Sequence, residues 1–411
     1  MRTLVRLVPP AVAVAAALAI WQGAGSLPAI VAYVVVAAMV VIVVGYVQLM
    51  KRSDRFYRAR IAAGLERAWR RPDRILEVDL SELKLVVFSD QHKGTRDGAD
   101  DFWRAERAYR AALAHYLELG HRLVVLGDAE ELWECRADRV VDAYRDVLAL
   151  EAAYHAAERY ERVYGNHDDD WRKPRLVARH LSEQGPFRSA PAVHQSIVVR
   201  VTEGADLKGV LFLVHGHQGT ADSEVLSRIA RPAVSLFGWL QRKFNRPWNT
   251  PATDWQLRDR HDRAMSLWAE SRADERLVLI AGHTHRPVFW NSRPTPPDPQ
   301  TIEDLERRLA DTVEPAERAR LRARIEHLAS MRAWMVNLPA SVESPAYFNT
   351  GCCSFADGDV TGLEIVDERV RLVRWLDNDG TAVPKELDVT ELREVFDRVG
   401  ALAGRRPAAR V

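Results

Sequence analysis

The stretch Leu123-Val124-Val125-Leu126-Gly127-Asp128 decides the fold that this sequence predicts. It is a short apolar run that ends at Gly-Asp, and a run of this kind is typical of a buried parallel strand. In open α/β sheets, ligands bind beyond the carboxyl ends of the strands. An aspartate in that place is poorly hydrated and favours a cation. Taken alone, an aspartate after Gly127 would more often cap the next helix, so the interpretation of Asp128 depends on whether similar strand ends recur.

Similar strand ends do recur, and helical patterns at Asp101–Leu119 and Arg139–Glu158 lie between several of them. Strands that alternate with helices predict an α/β protein whose parallel strands end at one edge of a sheet. The predicted strands and the polar residues that follow them are Leu83–Phe88 before Asp90 and His92, Arg162–Tyr164 before Asn166 and His167, Val210–Val214 before His215 and His217, and Leu277–Ala281 before His283 and His285.

The composition excludes several classes of protein. The chain has 411 residues, of which 47% are hydrophobic and 28% are charged, which is the composition of a globular protein. Lysine and arginine number 58 against 57 acidic residues, so there is no basic excess and no nucleic-acid partner is expected. Three cysteines form no disulfide framework, which favours a reducing compartment.

The N-terminus predicts a membrane anchor. Ala29–Met50 carries no charge and is long enough to cross a bilayer, which takes about 20 residues. Leu7–Ala24 is also uncharged but contains two prolines, so it is either a second span or the core of a signal peptide. Basic residues precede the first segment and follow the second, which favours the cytoplasm for both ends. We therefore predict a transmembrane hairpin over residues 1–50, with the globular part facing the cytoplasm at the cell membrane.

The remaining organisation follows from changes in composition along the chain. Ser223–Phe244 is helical in pattern and unusually apolar, so it is either a helix packed on the body or a cap over an apolar substrate. The expected segments are a basic juxtamembrane linker at 51–74, a globular domain at 75–380 with insertions at 222–272 (a helical cap) and 300–336 (a charged helical hairpin), and a C-terminal helix and tail at 381–411.

The polar strand-end residues together predict a metal centre. Carboxylates, imidazoles and an amide oxygen form a mixed nitrogen and oxygen set, which suits Mn²⁺ first and Fe or Zn²⁺ as alternatives. They are too many for one ion, so two divalent ions that share one carboxylate fit better. Two-metal sites act on the attacking and leaving oxygens of a displacement at phosphorus. The seven candidate ligands are Asp90, His92, Asp128, Asn166, His215, His283 and His285.

These blocks resemble the signature of the calcineurin-like metallophosphoesterases. The resemblance covers about Lys84 to Trp375 and runs through Asp90-Gln91-His92, Gly127-Asp128, Gly165-Asn166-His167-Asp168, His215 and Gly282-His283-Thr284-His285. It implies a four-layer α/β/β/α sandwich with helical insertions. It also implies that Asp90, His92 and His285 hold the first metal ion. Asn166, His215 and His283 would hold the second, with Asp128 bridging both.

The same resemblance implies hydrolysis by a hydroxide that bridges the two ions. His167 matches the histidine beside the leaving group, and Glu131 stands where relatives often have an aspartate that orients this histidine. His217 is a candidate for contact with the phosphate, although a loop histidine bonded to the backbone is an equal alternative.

The substrate is the open part of the sequence-based prediction. Within the family, the blocks look most similar to the branch that contains UDP-2,3-diacylglucosamine hydrolase, which cleaves a lipid-linked pyrophosphate at the membrane. Relatives in that branch usually have arginine at the position of His167 and lack an N-terminal anchor. We therefore expect a membrane-anchored hydrolase of phosphoester or pyrophosphate bonds, with phosphorylated small molecules or lipids as partners. One alternative is a phosphodiesterase for soluble nucleotides, and another is an inactive scaffold. A scaffold would be expected to have lost metal ligands, whereas this chain keeps all the candidate ligands.

Overall fold

The computed structural model describes residues 53–97, 100–220, 255–290, 299–336, 344–355, 358–378 and 381–404. The chain divides into two compact units, Met1–Arg60 and Ile61–Val411. All the strands and all the helices except the start of the first helix belong to the second unit. The strands are β1 (Arg74–Asp79), β2 (Leu85–Phe88), β3 (Arg122–Leu126), β4 (Tyr160–Val163), β5 (Val193–His194), β6 (Ser196–Glu203), β7 (Asp206–Val214), β8 (Leu277–Ala281), β9 (Pro287–Val288), β10 (Tyr347–Thr350), β11 (Val360–Val366), β12 (Arg369–Asn378) and β13 (Thr381–Glu391).

Eight longer helices accompany these strands in the described part of the chain. Short helical turns at Asp169–Arg172, Pro174–Val177, Ala178–Glu183 and Ala273–Glu275 connect some of them. The longer helices are α1 (Asp54–Arg70), α2 (Glu106–Glu118), α3 (Ala137–Ala143), α4 (Arg145–Ala156), α5 (Trp255–Glu270), α6 (Pro299–Asp311), α7 (Pro315–Val336) and α8 (Leu392–Ala403).

The strands form two mixed sheets. The seven-stranded sheet has the order β13-β12-β11-β2-β3-β4-β5, and its half from β2 to β5 is parallel. The six-stranded sheet has the order β1-β6-β7-β8-β10-β9, in which β7, β8 and β10 run parallel. The predicted mixed α/β class is therefore confirmed, and the structure has the two sheets that an α/β/β/α sandwich requires.

Strands β2 and β3 of the seven-stranded sheet are buried on both faces. Val86, Phe88, Leu123 and Val125 pack against α2, α3 and α4 in one large apolar cluster. The alternate residues on β2 and β3, which point to the other face, are buried as well. Strands covered on both sides read as continuous apolar runs rather than as alternating patterns, which is why the sequence reveals them so clearly.

Helix α1 belongs in part to the globular body, although residues 51–74 were predicted as a linker. Ile61, Leu65 and Ala68 are buried, and the Trp69 ring meets the Phe212 ring of β7 edge-on at 5.3 Å. Strand β1 then pairs with β6. The predicted boundary at residue 75 is therefore too late. The basic residues that suggested a linker coexist with an apolar stripe that packs inward.

Gly64 gives a test of this packing. A Cβ atom on Gly64 would lie 2.5 Å from both the Gln218 carbonyl carbon and the Gly219 nitrogen, which are backbone atoms that cannot rotate away. We expect Gly64→Ala to destabilise the protein by about 1–3 kcal/mol through overpacking, against a gain in helix propensity of about 1 kcal/mol. Chemical denaturation measures the change. Gly400→Ala in α8 is the control, because its Cβ would meet only the Arg276 side chain, at 3.2 Å. Equal effects of the two substitutions would contradict the proposed packing of α1.

Other predicted elements differ from the structure in identifiable ways. The predicted helix Arg139–Glu158 is broken at Tyr144, whose φ and ψ of −117° and 29° are not helical and whose buried hydroxyl donates to Asp100 at 2.6 Å. The segment predicted as a C-terminal helix and tail begins instead with β13, an edge strand that pairs with β12. Pro384 and several charges hide this strand in the sequence, and an edge strand tolerates both.

The structure describes helices in both predicted insertions. Residues 300–336, predicted as a charged helical hairpin, lie in α6 and α7, which share a small apolar core of Leu305, Leu321 and Leu328. Of the insertion at 222–272, predicted as a helical cap, the structure describes residues 255–272, where α5 has buried Met265 and Ala269.

Three sequence-based predictions fall outside the described residues. They are the N-terminal hairpin at 1–50, the apolar segment Ser223–Phe244 and the tail from residue 405. In the described ranges, none of the helices has the length and apolar character needed to span a bilayer.

Candidate metal centre

The predicted ligands lie in the loops that follow strands of both sheets. Each strand concerned ends with its carboxyl terminus toward the same place, because neighbouring parallel strands align their ends. The seven-stranded sheet contributes Asp90 and His92 after β2, Asp128 after β3 and Asn166 after β4, and the six-stranded sheet contributes His215 after β7 and His283 and His285 after β8.

Hydrogen bonds between the loops hold the two sheets together at the site. The His215 ring donates from Nδ1 to the carbonyl of Leu126 at 2.9 Å, and the backbone N–H of His283 donates to the Asp90 carboxylate at 3.0 Å. The Ser89 and Thr350 hydroxyls are hydrogen-bonded at 2.6 Å and join β2 to β10. The site is therefore built across the junction of the sheets rather than within one of them.

Among the residues that the structure describes, three groups of candidate ligand atoms are close enough to hold a metal ion. Within each group, all the ligand atoms lie within 4.8 Å of one another. Two of the groups share His92, and two share Asp128, so the groups form one connected cluster. The groups are Asp90, His92 and His285; His92, Asp128 and His167; and Asp128, His215 and His283.

The Asp90 side of the cluster contains close contacts that need a proton or a cation between them. The His285 Nε2 atom lies 3.2 Å from Asp90 Oδ1, and the His92 and His285 Nε2 atoms lie 3.2 Å apart. The His92 Nε2 atom is 3.7 Å from Asp128 Oδ2, which connects this side to the other. Lone pairs of imidazole and carboxylate that converge in this way match a divalent cation.

The Asp128 side is completed by an amide oxygen. The His215 Nε2 atom lies 3.1 Å from Asp128 Oδ2, while its other ring nitrogen is already used by Leu126. Asn166 Oδ1 is buried and accepts no hydrogen bond from the described residues. A buried polar oxygen without a partner is costly, and a cation would satisfy it. The residues present therefore fit a divalent metal ion on each side of Asp128.

The charge states of Asp128, His283 and His285 suit metal binding. Burial would lower the pKa of His215, but the carboxylates beside it raise that pKa to about 9, so this ring has to release a proton first. Burial would raise the pKa of Asp128, but His215 and His167 beside it hold that pKa well below its usual range. Burial lowers the pKa of His283 well below its ordinary value, and His261 and His215 lower it further. Burial likewise lowers the pKa of His285. Anionic aspartate and neutral imidazole are the forms that coordinate metals.

His167 is held by three contacts from the segment after Asp128. Its Nδ1 atom donates to Glu131 Oε2 at 2.6 Å, and its carbonyl accepts from the Leu132 N–H at 3.1 Å. The Trp133 indole stacks on its ring at 4.3 Å and 20°. Burial would lower the pKa of His167, but Glu131 and Asp128 raise it to about 10. The Nε2 atom is thus the ring nitrogen left for a substrate, on a side chain that carries a proton.

His217, the candidate for phosphate contact, lies beside His215 but is buried. Its ring is 5.4 Å from the His215 ring and 6.0 Å from the Tyr164 ring. Burial, together with the charge of His215, lowers the pKa of His217 to about 3, so it is neutral. A neutral ring contributes no positive charge toward a phosphate.

Backbone strain concentrates at the candidate ligands. Asp90, His92, Asp128, His283 and His285 all have φ between 50° and 68°, in the left-handed region. They are five of the ten non-glycine residues with positive φ in the described part of the chain. Such conformations cost of order 1–3 kcal/mol each and cluster at functional sites. The sequence contains no signal of this strain.

Comparisons with known proteins add little to this geometry. No protein-family model matches the chain, and no curated protein matches it in sequence. Among solved structures, it is similar to Vacuolar Protein Sorting 29 from Cryptosporidium parvum, at 13% identity and a TM-score of 0.31. That match covers 75% of this chain and 98% of the other. A similarity this remote shows no activity.

Proposed function

We propose that this chain is a metal-dependent phosphoesterase with two divalent ions. The observation that supports this most is the position of Asp128, which belongs to two groups of candidate ligands at once. A single carboxylate between two sets of imidazoles is the arrangement that two ions about 3.5–4 Å apart require. Asp90, His92 and His285 would hold one ion and Asn166, His215 and His283 the other, with Mn²⁺ as the first candidate.

The residues of the chain would divide the chemistry among them. The bound ions would neutralise charge on the phosphoryl oxygens and lower the pKa of water at the site. His167 would contribute the proton for the departing oxygen, because its Nδ1 is engaged by Glu131 and its Nε2 remains for the substrate. Glu131 and Trp133 would fix the orientation of that ring, since one bonds its edge and the other covers its face.

The location and the substrate remain proposals from the sequence. The uncharged segment Ala29–Met50 and its basic flanks support a membrane anchor with the catalytic part on the cytoplasmic side. The anchor and the apolar segment Ser223–Phe244 support a lipid-linked phosphoester or pyrophosphate as substrate, ahead of a soluble nucleotide. A reporter fused after Val411 that is active only outside the cytoplasm would contradict the orientation. Equal rates on soluble and lipid-linked diesters would contradict the substrate preference.

Removal of the metal tests the proposed activity. The full-length chain, purified in detergent and stripped with EDTA, should hydrolyse bis-p-nitrophenyl phosphate only after Mn²⁺ is restored. Binding to the folded state alone should also stabilise it, by about 2.7 kcal/mol when Mn²⁺ is 100-fold above its Kd. Calcium, which prefers oxygen ligands, serves as the control ion. Mn²⁺ binding without turnover of any diester would favour an inactive scaffold instead.

A further inference from the structure

Four charged side chains are completely buried directly behind the metal centre. Lys93, Glu130, Glu151 and Arg162 each have no exposed surface. Lys93 Nζ lies 2.9 Å from Glu151 Oε1 and 3.4 Å from Glu130 Oε1. Arg162 is hydrogen-bonded to Glu130 Oε2 and lies 3.5 Å from Glu151 Oε2. These two cations and two carboxylates form a cluster that we call the buried tetrad, and its Arg162 also lies 3.8 Å from the buried Asp168 carboxylate.

Two neutral donors add hydrogen bonds to the carboxylates of the tetrad. The Tyr160 hydroxyl donates to Glu151 Oε2 at 2.8 Å, and the Trp171 indole N–H donates to Glu130 Oε2 at 2.7 Å. Both carboxylates of the tetrad therefore have a neutral donor in addition to their basic partners.

The members of the tetrad come from separate segments, and three of them adjoin candidate metal ligands. Lys93 directly follows His92, and Glu130 lies two residues after Asp128. Arg162 is on β4, just before the loop that carries Asn166. Glu151, on α4, contacts Lys93 and Arg162 from a helix that carries no candidate ligand.

Backbone hydrogen bonds next to the tetrad connect the loops that follow β2, β3 and β4. The Lys93 N–H donates to the Ala129 carbonyl at 3.0 Å, and the Glu131 N–H donates back to the Lys93 carbonyl at 3.0 Å. The Asp168 carboxylate accepts from the Ala129 N–H at 3.0 Å and from the Gly165 N–H at 2.6 Å. The loops after β2, β3 and β4 are thus bonded to one another immediately above the buried charges.

Stability alone does not account for a cluster of this kind. The cost of burying charged groups often cancels their attraction, and apolar side chains of equal volume usually serve a core as well or better. A buried charged side chain differs from an apolar one, because only a few arrangements of its partners satisfy its charge and its hydrogen bonds. A tetrad whose members sit beside ligands would therefore fix the relative positions of the loops.

We propose that the buried tetrad is a positioning device that sets the register of the three ligand loops after β2, β3 and β4. This inference rests on the proposed metal site. The four side chains of the tetrad touch neither substrate nor metal, and they act through His92, Asp128 and Asn166. Partners behind a metal site commonly change metal affinity by 10–100-fold, and we expect an effect of that size here.

Glu130→Gln tests the proposal, with Glu364→Gln as the matched control. Glu364 is also a buried carboxylate of the seven-stranded sheet, but its partners His121 and Arg371 lie at 3.4 Å near the amino end of β3, away from the ligand loops. In the metal-free full-length protein, we expect faster amide exchange at 89–96, 127–134 and 164–169 for Glu130→Gln alone. Calorimetry should show Mn²⁺ binding to Glu130→Gln weakened by about 10–100-fold, at a temperature where both variants are folded.

The outcomes separate the two proposals. If the wild type binds Mn²⁺ and Glu130→Gln matches Glu364→Gln in loop exchange and Mn²⁺ affinity, the positioning role is wrong and the metal site stands. If the wild type binds no Mn²⁺, the metal site is wrong, and the positioning role falls with it. Should Glu130→Gln not fold, Glu151→Gln replaces it, because it removes a partner of Lys93 and Tyr160 from a helix that carries no ligand. The same two readouts then decide.

Discussion

Asp128→Asn is expected to lower kcat/KM for a phosphodiester by more than about 100-fold, since changing partners behind a metal site already costs 10–100-fold. The substitution keeps the shape of the side chain and removes the charge that both halves of the site share. The His215 Nε2 atom, 3.1 Å from Asp128 Oδ2, would then face a neutral amide. Activity with Mn²⁺ and the number of ions bound per chain measure the effect, and we expect fewer than two ions.

Glu364→Gln is again the control, because it also neutralises a buried carboxylate but leaves the ligand loops untouched. It should keep both ions and most of the activity. An Asp128→Asn protein that binds two ions and turns over normally would show that Asp128 is not the shared ligand.

His167→Ala is expected to slow hydrolysis to an extent that depends on the leaving group. General acid catalysis contributes typically 10²–10⁴-fold, so an alkyl phosphodiester, whose departing alkoxide is strongly basic, should lose about that factor. p-Nitrophenolate departs without protonation, so bis-p-nitrophenyl phosphate should lose far less. The ratio of the two rates, measured for wild type and variant at saturating Mn²⁺, isolates the proton transfer.

This ratio also guards against indirect effects. His167 belongs to one of the groups of candidate ligand atoms, so its removal could disturb the metal instead of the proton. Loss of metal would reduce both rates by the same factor. An equal reduction with both substrates would therefore contradict the role of His167 as an acid, whereas a selective reduction would support it.

The sequence predicted the parts of this fold that are governed by local patterns. Strands β2, β3, β7 and β8 are found because each is apolar along most of its length and ends at a turn. Their order along the chain then places the polar residues after each strand at a common edge. The same reasoning misses β13, where Pro384 and charged neighbours imitate a tail, and it misses the break at Tyr144, where no glycine or proline is present.

Other parts of the site have no local pattern at all. Arg162 inside β4 looks like a charge that should end a strand, and only its distant partners Glu130 and Glu151 explain why it is buried. The stacking of Trp133 on His167 joins residues on two loops. His261, whose ring lies 5.0 Å from the His283 ring, comes from a helix that the sequence placed in a cap. Such contacts depend on tertiary structure, and a single sequence does not reveal them.

The left-handed backbone at five of the candidate ligands has a consequence for how this protein could change over generations. Glycine and asparagine accept that conformation more readily than histidine does, so drift toward them at these positions would relieve strain while erasing the chemistry. Descendants that lose activity through such substitutions should therefore melt at a higher temperature than their parent, in keeping with the trade-off between stability and activity. Selection for stability alone would favour the loss of catalysis in this lineage.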